Sequence, residues 1–258
     1  MFKKQKFKEQ EFKEQLRQKS CLGIFSKTLD SALVEATGLA GLDFIILDTE
    51  HGPASLETLH QHVRAARVGG LAPIIRVKDL DAQAIGAALD TGAAGVQVPN
   101  INSAEQARAA ITAARFHPQG QRGVCRFVRG AAFGSQDKQA YFRQANDKLL
   151  VLQVEGLAGV ENLDAILALE GFDVLFVGPY DLSQSVGKPG EVDAPEVRQL
   201  ITQIADKARA KGILLGSFCD TPDNAQRLKA AGFRYLAYGV DIQIYLDACV
   251  QLKERLDV

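Results

Sequence analysis

The chain has 258 residues, 47% of them hydrophobic, with 31 acidic side chains against 30 basic ones and a net charge of −1. That length suits one large α/β domain, and so even a charge balance removes the electrostatic basis for binding nucleic acid or an anionic membrane. Four cysteines (Cys21, Cys125, Cys219, Cys249) form no Cys-x-x-Cys pair, which argues against a structural zinc site or disulfide framework and fits a reducing cytoplasm.

Residues 1–20 are a charged run with Phe2, Phe7, Phe12 and Leu16 spaced through it. The spacing predicts a helical extension, laid across the bottom of the following domain or against a neighbouring subunit. No signal-peptide core follows, and no stretch is apolar enough to span a bilayer. From 21 to 258 short apolar runs alternate with amphipathic stretches. Strands are expected over 22–25, 44–47, 73–77, 95–98, 150–154, 174–177, 213–216 and 235–238. Helices are expected over 55–68, 82–90, 104–115, 157–169, 194–211 and 223–231. Ser55, Ser103 and Asp220-Thr221-Pro222 mark helix starts, and Gly69-Gly70, Gly92, Gly171, Gly212 and Gly232 mark ends. Eight βα repeats in one domain predict a (β/α)₈ TIM barrel. An open doubly wound sheet lacks its Gly-x-Gly-x-x-Gly after the first strand. Residues 116–142 read as an irregular segment that covers the mouth or reaches a partner.

Barrel chemistry sits where strands pass into βα loops. The fifth strand ends at Gln153-Val154-Glu155 and the sixth at Gly178-Pro179-Tyr180-Asp181. A βαβ unit sets these two ends side by side. Adjacent carboxylates repel unless a cation or proton lies between them, so Glu155 and Asp181 predict a hard oxygen site for Mg²⁺, Mn²⁺ or Co²⁺. A 2-oxo acid chelating that metal forms an enolate at C3, which Arg76 at the third strand end can stabilise. His51, in Asp48-Thr49-Glu50-His51-Gly52, suits a base acting through water. The Gly178-Pro179-Tyr180 turn offers backbone amides to a carboxylate. Gln97 and Asn100 close the fourth strand with no assigned role. A Schiff-base route to the same enolate needs a strand-end lysine, and Lys78 and Lys188 both read as lying beyond strand ends in polar loops.

In order along the chain stand Asp48-Thr49-Glu50-His51-Gly52, Arg76, Val98-Pro99, Arg122-Gly123-Val124, Gln153-Val154-Glu155 and Gly178-Pro179-Tyr180-Asp181-Leu182-Ser183. This series resembles the HpcH/HpaI aldolase family of class II pyruvate aldolases, near the branch around macrophomate synthase, from about 22 to 252. The resemblance implies reversible cleavage of a 4-hydroxy-2-oxo acid to pyruvate and an aldehyde. It implies that Glu155 and Asp181 hold the metal, with Gln153 in support, and that Arg76, Gln153, Tyr180 and Asp181 meet the substrate. It also implies that His51 is the acid/base, with Asp48 and Asp90 orienting it and lining the subunit contact. The eighth helix would be exchanged between subunits of a homo-oligomer, a hexamer built as a trimer of dimers. Tyr180 stands where many members carry a small residue. Oxaloacetate decarboxylation, CoA-thioester cleavage and a non-catalytic organic-acid-binding barrel are the competing readings.

Overall fold

A computed structural model describes residues 9–256; Phe2 and Phe7 of the expected N-terminal helix lie outside them. Eight parallel strands close in chain order into a barrel: β1 (Cys21–Ser26), β2 (Phe44–Asp48), β3 (Ala72–Arg76), β4 (Gly95–Val98), β5 (Leu149–Val154), β6 (Val174–Val177), β7 (Leu214–Cys219) and β8 (Tyr235–Val240). The β8–β1 pairing, with Cys21 opposite Tyr235, completes the ring. It is a (β/α)₈ TIM barrel.

The helices begin where their caps stand. Ser55, Asp81, Ser103 and Thr221 each accept a hydrogen bond from a first-turn backbone N–H, satisfying a donor that a helix leaves open. Gly70, at φ 84°, ends the helix Leu56–Gly69 in the left-handed region. The helix expected over 157–169 is divided into Leu157–Glu161 and Leu163–Leu167. Asn162 parts them, its amide donating to Asn102 O at 2.9 Å and Ala158 O at 3.0 Å. Such a side chain competes with the helical ladder for backbone carbonyls. The segment expected to be irregular holds a 3₁₀ turn, Arg129–Gly134, and runs into a helix, Lys138–Ala145.

Two apolar layers follow from strand alternation. Ile45, Leu47, Ile75, Val96, Leu152 and Val154 face outward and pack under the helices. Phe44, Ile46, Ala72, Ile74, Leu149, Val151, Val174 and Phe176 face inward and fill the lumen. The helix Glu9–Gln18 closes the N-terminal end, burying Phe12 and Leu16 with this inner layer. The Phe12 and Phe44 ring centroids are 5.7 Å apart.

The last helix, Asp241–Leu256, is the eighth helix that the family resemblance implies, although no helical range was assigned to it from the sequence, and it buries none of its residues. Asp241 ties its start to the end of β1, accepting from Ser26 Oγ at 2.8 Å and from the Lys27 and Thr28 N–H groups at 3.0 Å. Ile242, Tyr245, Leu246, Val250 and Leu252 remain exposed. Among the described residues no helix is long and apolar enough to cross a membrane.

Candidate active site

Strand parity decides which polar residues reach the lumen. Asp48 follows Phe44 and Ile46 inward, Arg76 follows Ala72 and Ile74, and Gln153 follows Leu149 and Val151. Each stands at the C-terminal end of its strand or one pair below it, where the apolar filling stops. There a cavity of about 290 Å³ opens, lined by Lys27, Asp48, His51, Arg76, Gln153, Glu155, Tyr180 and Asp181, with Phe25, Phe176 and Phe218 among its apolar walls. Seven of the eight residues the sequence singled out therefore meet in one place.

Asp48 and Arg76 are register partners on β2 and β3. Arg76 donates through Nε and Nη2 to the two Asp48 oxygens, both at 2.9 Å, and its Nη1 lies 2.8 Å from Glu50 Oε2. Its guanidinium carbon sits 4.7 Å over the Phe25 ring. A guanidinium carries five N–H donors; three are engaged here, which leaves two for a ligand. Asp48 is fully buried and also accepts from the Glu50 and His51 N–H groups at 3.1 and 3.3 Å. The His51 loop is thereby pinned to the Arg76 pair.

Glu155 is buried, with each oxygen fixed by one donor. Asn100 N–H donates to Oε1 at 2.9 Å and Gln153 Nε2 donates to Oε2. Asn100 achieves this at φ 57°, a left-handed conformation that asparagine tolerates better than most residues. Burial pushes the Glu155 carboxyl up to about 7, with Asp181 and Glu50 adding to the rise and both hydrogen bonds opposing it. A lone pair on each oxygen remains free. Asp181 lies in the first turn of the helix Pro179–Ser185, which follows β6 directly.

Gly178 makes this proximity possible. A Cβ built there meets Glu155 Oε2 at 2.5 Å and Glu155 Cβ at 2.8 Å. Gly178→Ala is therefore expected to displace the carboxylate and lower turnover at least tenfold with the barrel intact; steady-state rates beside a circular dichroism melt check it.

Tyr180 stands 46% exposed at the mouth. Its hydroxyl donates to Asp220 Oδ2 at 2.6 Å and its ring packs edge-on to Phe218, 5.8 Å away. The bond to Asp220, with burial, pushes its phenol up to about 12. Asp90 does not line this cavity. It ends the helix Ala82–Asp90 and pairs with Arg122 within the same chain, so a site role for it needs a second copy.

Two contributors escaped the sequence reading. Lys27 directly follows β1 and lines the cavity, with Nζ 3.9 Å from Asp48 Oδ2. Its place one residue after a strand, unlike Lys78 and Lys188 in their polar loops, was the usable signal. Asn100 was noticed, but its contribution is a backbone N–H, which no side-chain pattern announces.

Among the described residues no group of three or more His, Cys, Asp or Glu side chains could hold a metal; what exists is a carboxylate pair facing an open cavity. Such a pair fits Mg²⁺ or Mn²⁺, which take one or two protein carboxylates and fill the remaining positions with water and substrate.

A closed parallel barrel whose ionisable groups gather at the C-terminal strand ends is the architecture of an enzyme. Comparison with known proteins gives the family. The model of the HpcH/HpaI aldolase/citrate lyase family matches residues 21–248, and the chain belongs to that family. A 2-keto-3-deoxy-L-rhamnonate aldolase from Salmonella gallinarum is 38% identical over 229 residues, 88% of this chain and 85% of that one. An HpcH/HpaI family protein from Burkholderia cenocepacia superposes with a TM-score of 0.91 at 29% identity, covering 96% and 99% of the two chains. Citrate synthase SbnG superposes at 0.84 with 27% identity, covering 95% and 98%. The protein is an aldolase, a carbon–carbon lyase.

Proposed function

We propose that the enzyme reversibly cleaves a 4-hydroxy-2-oxo acid to pyruvate and an aldehyde, using a divalent metal held by Glu155 and Asp181. The observation that carries this is the half-satisfied Glu155 carboxylate, one lone pair free on each oxygen, sharing a cavity with Asp181 and two spare Arg76 donors. When bound, Mg²⁺, Mn²⁺ or Co²⁺ supplies Lewis-acid stabilisation of negative charge on the 2-oxo oxygen. Arg76 gives its remaining N–H groups to the same oxygen, held in place by Asp48 and Glu50. Gln153 and Tyr180 line the substrate, and the first-turn amides of Tyr180 and Asp181 receive its carboxylate. His51 takes the C4 hydroxyl proton through a water. The C3–C4 bond then breaks, the aldehyde leaves, and the bonding pair becomes the C2–C3 enolate. A proton delivered to C3 completes pyruvate.

The similarity to 2-keto-3-deoxy-L-rhamnonate aldolases favours a 3-deoxy-2-oxo sugar acid as substrate. Likeness to citrate synthase SbnG supports a second reading, in which the same pocket serves a different enolate partner such as oxaloacetate or a CoA thioester. The protein acts as a homo-oligomer, a trimer of dimers, in which Asp90 serves a neighbouring site beside His51 and Asp48. The exposed apolar side chains of Asp241–Leu256 support an exchanged last helix.

Proton NMR of pyruvate in D₂O tests the enolate without knowledge of the aldehyde. Protein treated with EDTA is expected to leave the methyl signal intact, and restored Mg²⁺ to erase it. A methyl signal that survives every divalent metal would remove pyruvate as the nucleophile.

A further inference from the structure

Behind Glu155 runs a row of buried hydrogen bonds. Tyr235 O–H donates to Gln97 Oε1 at 3.4 Å, Gln97 Nε2 donates to Gln153 Oε1 at 2.5 Å, and Gln153 Nε2 donates to Glu155 Oε2 at 2.5 Å. Tyr235 and Gln97 are 0% exposed and Gln153 is 2% exposed. Neither Tyr235 nor Gln97 lines the cavity, so neither meets substrate. Around them the lumen is apolar: the Tyr235 ring stacks on Phe44 at 4.1 Å and meets Phe176 edge-on at 6.0 Å.

Aliphatic side chains would fill this lumen without burying amides and a hydroxyl, which are costly unless fully paired. The row therefore specifies something that packing does not, and its direction shows what. All three donors point toward Glu155. In the opposite sense the Gln153 carbonyl would face the carboxylate and Gln97 would donate to the Tyr235 oxygen. The Tyr235 proton would then be left among the Phe44 and Phe176 rings. Burial drives the phenol well above its ordinary range, so it keeps that proton and must place it.

We propose that Tyr235 and Gln97 are positioning residues of the active site: they fix the Gln153 amide with its NH₂ group on Glu155, holding that carboxylate so that its free lone pairs face the cavity. This rests on Glu155 being a metal ligand. Partners behind a ligand raise metal affinity by fixing its orientation.

Mn²⁺ titration followed by electron paramagnetic resonance, without substrate, tests both layers. The proteins compared are the full-length wild type, Glu155→Ala, Tyr235→Phe, Gln97→Leu and the Tyr235→Phe/Gln97→Leu double variant. Phenylalanine keeps the stack on Phe44 and removes only the hydroxyl. Tyr235→Phe is expected to weaken Mn²⁺ binding about fivefold and Gln97→Leu on the order of tenfold. The double variant should bind no more weakly than Gln97→Leu, because the row is already cut. Losses that add, or wild-type affinity in both single variants while Glu155→Ala binds none, overturn the positioning role and leave the metal site standing. Equal binding by wild type and Glu155→Ala overturns the metal site and the positioning role with it. Should Gln97→Leu fail to fold, Tyr235→Phe against Glu155→Ala decides.

Discussion

Glu155→Ala is expected to abolish measurable Mn²⁺ or Mg²⁺ binding and to lower kcat by at least about 10³-fold. The alternative ligand, Asp181, would remain alone, and one carboxylate with water makes a weak site. Calorimetric titration of metal beside steady-state turnover checks both losses together; turnover retained with the metal gone would sink the proposed role. The same variant carries a pH signature in metal-free protein. The folded Glu155 carboxyl titrates at about 7, raised by burial above the value near 4.3 of an unfolded glutamate. Between those values the folded state binds more protons than the unfolded one, so stability falls as pH rises. The contribution is fully present below about 4.3 and is lost as pH passes through about 7. In EDTA, the wild type should therefore lose more Tm than Glu155→Ala between pH 5 and pH 8. Identical pH slopes would contradict the raised value.

Asp48→Ala is expected to be the most destabilising single change at the site, by roughly 3–5 kcal/mol. Asp48 is fully buried and neutralises Arg76 through two bonds of 2.9 Å, with Lys27 3.9 Å away. Its removal leaves a buried guanidinium held by Glu50 alone, and frees the two N–H groups that seat the His51 loop. For a chain of this size each kcal/mol lowers Tm by roughly 2–4 °C, so a melt should fall by about 10 °C. Turnover of the folded fraction should drop at least 10²-fold, because Arg76 and His51 both lose their reference point. Arg76→Met/Asp48→Ala should be more stable than Asp48→Ala alone, since no charge is then stranded. A double variant less stable than Asp48→Ala would show that the pair contributes more than mutual neutralisation.

Much of this site could be read from the chain because barrel strands announce their own ends. An apolar run that stops at Asp48, Arg76, Glu155 or just before Asp181 marks a C-terminal strand end, and closure of eight parallel strands brings such ends together wherever they lie in sequence. Asp90 shows the limit of that logic. It terminates a helix, and in a βα unit helix ends fall at the opposite rim, so only a second copy can return it to a site. The division of 157–169 into two short helices was invisible for another reason. Asn162 breaks the run through a bond to Asn102, and that partner becomes a neighbour only after the strands pair.

The sequence by itself determined the (β/α)₈ architecture, the family through its ordered strand-end motifs, and seven of the polar groups at the mouth. These rest on alternation, capping residues and local order, all written in consecutive positions. Only the tertiary structure decided what those groups do to one another. It turned the Asn100 N–H onto Glu155, engaged three of Arg76's five donors, admitted Lys27, and joined Tyr235 to Glu155 through two glutamines. Each of these depends on the stagger of neighbouring strands and on burial. Both are properties of the closed barrel and of no single segment within it.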